Sequence, residues 1–140
     1  CVVDKPEDPV TPLIEAHAGD AIRIHVIGAN SEQNGMFGVE GHEWPIEPYM
    51  PGADMISVVE YAGSEVLDVF IRGGAGGPYR QVGDFVWSNQ RLPYTQSGQW
   101  GYLRVLPAGD SRIQPLGAVG MGAKRAENHP EPHAVPTAMR

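Results

Sequence analysis

From Leu13 onward, apolar and polar residues alternate in short runs. In AIRIHVIG (21–28), Ile22, Ile24 and Val26 fall on one face and Arg23, His25 and Ile27 on the other, the period of a half-buried strand. Comparable runs occur at MFGV (36–39), EWPIEPY (43–49), MISVVEY (55–61), EVLDVFI (65–71), DFVWS (84–88) and GQWGYLRVL (98–106). Turn-forming stretches separate them, including AGD, ANSEQNG, MPGAD, AGSE, RGGAGGPYRQVGD and SNQRLPYTQSG. Roughly seven or eight short strands with no convincing amphipathic helix predict an all-β fold, an antiparallel sandwich or barrel.

The strand pattern occupies residues 13–107 and divides the chain into three parts. Residues 1–12 (CVVDKPEDPVTP) read as a proline-rich, acidic spacer. Residues 108–140 lose periodicity and read as an extended, irregular, Gly/Pro-rich tail, of the kind that lies over another protein or stays mobile. A length of 140 residues suits one domain with one core. The 18 glycines and 13 prolines favour many turns over long helices. A formal charge of −7 argues against a nucleic-acid partner, whose phosphates call for a basic surface. No apolar run approaches the roughly 18 residues of a membrane-spanning helix.

Cys1 is the only cysteine, so neither an internal disulfide nor a thiolate metal cluster is expected. Two readings of Cys1 stand side by side. It is the acylated N-terminal residue of a bacterial lipoprotein, with residues 1–12 lifting the domain off a membrane outside the cytoplasm, in the periplasm for example. Alternatively, it is simply where a fragment begins.

Three stretches carry a resemblance: PLIEAHAGDAIRIHV (12–26), SEQNGMFGVEGHEWPIEP (31–48) and GGAGGPYRQVGDFVWSNQRLPYTQSGQWGYLRV (73–105). In order and spacing they resemble a cupredoxin domain of the bacterial multicopper oxidases, over residues 12–107. The resemblance implies a Greek-key β-sandwich. It also implies a place to look for copper, whose type 1 centre needs two imidazoles and a thiolate. The family's thiolate, second histidine and axial methionine fall near Ser88, Arg91 and Gln99, none of which supplies such a ligand. Where the family reads F-x-V-H-G-H-x-W, this chain has His42 but places Gly38 and Glu40 at the histidine positions of a trinuclear cluster. No cofactor is therefore expected.

His42 is the one metal-ligand candidate within the domain, and two readings compete for it. In the favoured one it is a structural, hydrogen-bonded histidine. In the other it completes a weak metal site shared with another chain. Glu40 and Glu43 flank it and could stabilise an imidazolium. His129 and His133 lie four apart, but Pro130 and Pro132 exclude the helix that would align them. RGGAGG (72–77) reads as a flexible inter-strand loop, because no helix comes after it to face a phosphate. KRAE (124–127) is too short for a basic patch. His17 and His25 read as packed or solvated strand histidines. Met36, Met50 and Met55 read as core filling, with Cu(I) handling as the weaker option. Trp44, Trp87, Trp100, Phe37, Phe85, Tyr94 and Tyr102 read as core filling or, where exposed, interface anchors.

Two functions from different classes fit these observations. One is a non-catalytic, copper-free cupredoxin-like subunit outside the cytoplasm, docked on a larger complex such as a membrane electron-transfer assembly. Its protein partners would be met through the tail (108–140) and exposed aromatics, and the membrane through an acylated Cys1. The other is a scaffold domain or fragment of a multicopper oxidase whose catalytic histidines lie elsewhere.

Overall fold

The computed structural model describes residues 8–29 and 32–113. Among them run nine strands: β1 (Leu13–His17), β2 (Arg23–Ile27), β3 (Gly35–Val39), β4 (Trp44–Pro45), β5 (Met55–Ile56), β6 (Val58–Tyr61), β7 (Val66–Phe70), β8 (Gly83–Asn89) and β9 (Trp100–Leu106). Every apolar run singled out in the sequence contains one. The run 55–61 splits in two at Ser57, and only two residues of 43–49 pair as strand. The turn between β8 and β9 winds into a short helix, α1 (Leu92–Gln96), which Pro93 opens within its first turn.

One layer is a five-stranded sheet in the order β1-β9-β8-β3-β6; the other is made of the ribbons β2-β7 and β4-β5. Neighbours such as β2 and β7, or β3 and β8, are distant in sequence, the over-and-back connectivity of a Greek-key sandwich. One pairing departs from the antiparallel expectation. β1 runs parallel to β9, with Leu13 opposite Tyr102 and His17 opposite Leu106. Alternation cannot reveal this, because it fixes which face a residue takes and not the direction of its neighbour.

Period-two alternation turns Val26, Val69, Phe37, Val39, Leu103 and Val105 inward, and Trp44 closes one side. Trp44 is 2% exposed and its ring lies 6.1 Å from that of Phe37. Such burial contributes about 1.5–3 kcal/mol for each large side chain relative to an exposed position.

The outer face of β9 is held differently. Arg104 is buried beneath the chain entering β1 and donates to two carboxylates. It reaches Asp84 on β8 at 2.8 and 2.9 Å, and Asp8 at 2.7 and 3.1 Å. Hydrogen bonds to Asp84 and then Asp8 raise the guanidinium pKa well above its ordinary value, so it stays charged. The end of the spacer is thereby fastened to the sheet. Cys1, His129, His133 and residues 124–127 lie outside the described residues, as does the tail beyond Ile113.

Replacing Arg104 with Met should destabilise the domain by about 3 kcal/mol, because the Asp8 carboxylate would be left buried without its cation. Urea unfolding checks this, and an unchanged midpoint would contradict it.

Candidate functional site

His42 sits in the turn after β3 and is 3% exposed. Two backbone groups fix its ring. Glu40 C=O can only accept, so Nδ1, 2.8 Å away, carries the proton and donates to it. Gly76 N–H can only donate, so Nε2, at 3.0 Å, offers its lone pair. The imidazole is thus neutral, in the Nδ1–H tautomer, with both nitrogens occupied. Its edge packs on Phe85 of β8, ring centres 4.7 Å apart and nearly perpendicular.

His42 takes its second partner from the glycine-rich loop. Gly73, Gly74, Gly76 and Gly77 all have positive φ, which side-chain-bearing residues rarely adopt, and the coil so formed brings Gly76 N–H to the imidazole. Gly74 to Gly77 are buried and Ala75 is fully so. The loop is therefore a packed plug and not the flexible connection its composition suggests. It leads into a single 3₁₀ turn, Gly77–Tyr79. The flanking acids do not cradle the ring either. Glu40 meets it through its carbonyl, and the Glu43 carboxylate pairs with Arg72 at 2.5 Å.

A second polar cluster lies at the far end of β8, four residues and about 13 Å of strand rise from Phe85. Its centre is Asn89, 6% exposed. Oδ1 accepts from Met36 N–H at 3.1 Å and Arg91 N–H at 3.2 Å. Nδ2 donates to Tyr61 Oη at 3.3 Å and Gln99 Oε1 at 2.9 Å. A carboxamide offers two donors and two acceptor positions, and all four are filled. The Asn89 backbone carbonyl also accepts from the Thr95 hydroxyl of α1. Above Asn89 opens a cavity of about 370 Å³, whose lining includes Gly35, Tyr61, Tyr94 and Gln99.

The three positions implied for a type 1 centre do not converge. Gln99 belongs to the Asn89 cluster. Ser88 alternates to the opposite face of β8. Arg91 faces the loop before β3, donating to Asn34 C=O at 2.6 Å and Gln33 Oε1 at 2.8 Å, with its guanidinium 5.6 Å from the Tyr94 ring centre. The residues that gather are Asn89, Tyr61 and Gln99, with Tyr94 at the cavity wall. Sequence reading did not single out Asn89; the available signal was a polar residue closing the inward-facing series Phe85, Trp87, Asn89. Gly38 pairs with Ser88 within the sheet, and Glu40 is exposed.

The donor set does not fit copper of the type 1 kind. The cluster offers amides and phenols and neither imidazole nor thiolate, the Asn89 carboxamide has no acceptor position left, and both His42 nitrogens are in use. Among the described residues no three His, Cys, Asp or Glu side chains converge on a metal position.

The remaining candidates take other roles. His17 Nε2 is 2.8 Å from the Asp110 carbonyl, and His25 Nδ1 is 2.6 Å from Asp68, which also pairs with Arg23. Met36, Met50 and Met55 do not fill the core; all three are exposed. Trp44 and Phe37 are core residues, whereas Trp87, Trp100, Phe85, Tyr94 and Tyr102 are partly buried. The most exposed aromatics are two others, Tyr79 and Tyr49.

No protein-family model matches the chain, and no curated protein matches it in sequence. Solved structures do match in fold. A multicopper oxidase designated mgLAC superposes with a TM-score of 0.57 at 16% identity, covering 76% of this chain and 35% of its own. The blue copper oxidase from Nitrosomonas europaea gives 0.56 at 19%, covering 69% and 31%. Another multicopper oxidase gives 0.54 at 12%, covering 66% and 32%. The domain therefore has the cupredoxin-like fold found within multicopper oxidases, and it spans about a third of the length of each.

Asn89→Leu should cost about 2–3 kcal/mol, since it removes four hydrogen bonds and leaves the partly buried Met36 and Arg91 N–H groups without their acceptor. His42→Ala should cost about 3 kcal/mol through two lost hydrogen bonds and a void beside Phe85. Chemical unfolding measures both, and a loss under about 0.5 kcal/mol would show that the residue is not a structural connector.

Proposed function

We propose that the chain is a non-catalytic, copper-free cupredoxin-like module that acts by contact with other proteins, as a structural part of a larger assembly outside the cytoplasm. The observation that carries this reading is the Asn89 cluster. At the end of β8 a buried carboxamide already spends every hydrogen-bonding position on neighbouring protein groups. Nothing there is poised to change oxidation state or to exchange a ligand. The side of the ribbon layer offers contact surface instead: Ile46, Tyr49 and Met50 form an exposed apolar strip, with Tyr49 75% exposed.

A second reading is favoured by the coverage figures. Because the matched oxidases are about three times as long as the aligned region, the domain also suits a scaffold position within a multicopper oxidase whose copper ligands lie elsewhere. The size of the native polypeptide separates the two. A band at the length of this chain supports a separate subunit, and a band about twice that length, near the size of the matched oxidases, supports the oxidase domain.

Copper loading tests the absence of a redox centre. After incubation with Cu(II) or Cu(I) and removal of free ion, metal analysis should find well below one equivalent and no thiolate-to-copper absorption. One tightly held equivalent, or a blue band, would overturn the proposal.

A further inference from the structure

Among the described residues, the cavity above Asn89 is lined by side chains that carry no charge: Gln33, Tyr61, Tyr94 and Gln99 among the polar ones, Ile27 and Ala62 among the apolar. In a chain of formal charge −7 this is a local exception. The Arg91 guanidinium behind Gln33 and Tyr94 is already engaged by Gln33 Oε1 and the Asn34 carbonyl, so a charged guest would lose hydration without meeting an opposite charge on the lining itself, which disfavours it. A wholly apolar guest would leave the polar walls unmatched.

Two donors remain for a guest. The Tyr61 hydroxyl accepts from Asn89 Nδ2, and its own proton has no acceptor among the described residues. Gln99 accepts through Oε1 from the same nitrogen, leaving Nε2–H₂ without a partner among them. Because both side chains are tied to one atom, their free donors are held close together and preorganised. Gly35 makes the arrangement possible. A Cβ at that position would lie 2.2 Å from the Tyr61 ring, so only glycine lets the ring cross the strand and carry its hydroxyl over Asn89. At about 370 Å³, the space is within the range of small-molecule sites.

We propose that this cavity is a binding site for a neutral, oxygen-rich small molecule of sugar size, held by the Tyr61 hydroxyl and the Gln99 amide, with the Tyr94 ring beside it. The site stands apart from the structural role of the domain and does not depend on it.

Amide-resolved NMR of the full chain, titrated with glucose, N-acetylglucosamine and cellobiose, tests the site. At least one sugar should give saturable shifts confined to Gly35, Ala62, Gly63 and the Asn89 side-chain NH₂. Gln99→Ala should weaken that affinity about tenfold, the loss of one well-placed hydrogen bond, with retained spectral dispersion showing that the fold survives the loss of one Asn89 partner. Tyr61→Phe should weaken it as well, with the dispersed spectrum showing that the fold persists. Absence of saturable shifts with all three sugars would overturn the proposal, as would shifts at other residues or binding unchanged by Gln99→Ala. Sodium acetate, of comparable polarity but charged, should leave the site unperturbed; preferential binding of acetate would also overturn it.

Discussion

A single carboxamide ties together the end of the sandwich where the strands would otherwise part. Asn89 closes β8, and its four hydrogen bonds run to Met36 on β3, Tyr61 on β6, Arg91 at the start of α1 and Gln99 at the entry to β9. Each of those segments turns away from the sheet at this point, leaving backbone groups that the ladder no longer serves. A buried N–H without a partner costs about 1–3 kcal/mol, so the cluster must be complete to be stabilising at all. The helix α1, the placement of Tyr61 across Gly35 and the cavity above them all depend on that requirement.

His42 solves the matching problem along the sandwich. The turn after β3 and the glycine-rich loop after β7 both contain backbone groups outside any strand. A neutral imidazole is suited to join them, because it offers one donor and one acceptor in a rigid plane. The glycine loop can reach the ring only because four of its residues take positive φ. Both buried polar residues are therefore connectors between irregular segments, while cohesion comes from the apolar layer around Val39, Val69, Trp44 and Val105.

Much of this fold was legible in the alternation of the chain, because each strand has an apolar face to bury. What alternation carries poorly is anything set by a single residue's phase or by a partner distant in sequence. Ser88 and Asn89 illustrate this: adjacent strand residues take opposite faces, so a phase error of one residue exchanges the two sides of the sheet. The parallel β1–β9 pairing, the burial of the glycine loop and the exposure of Met36, Met50 and Met55 all depend on tertiary neighbours. His42 shows a related limit: its partners, two backbone groups, have no sequence signature.

Closing this end of the sandwich with a carboxamide also bears on how the domain acquires its structure. A metal centre ties folding to ion supply, since the ligands must be deprotonated and brought together as the ion binds. The Asn89 cluster asks for no ion and no proton release. Its partners come from β3, β6 and the β8–β9 connection, so it forms when those elements assemble. Its cost is geometric: four segments must arrive within about 3 Å of one side chain, and a void or a lost partner is felt by all of them. A scaffold tolerates that constraint well, because it needs one rigid arrangement.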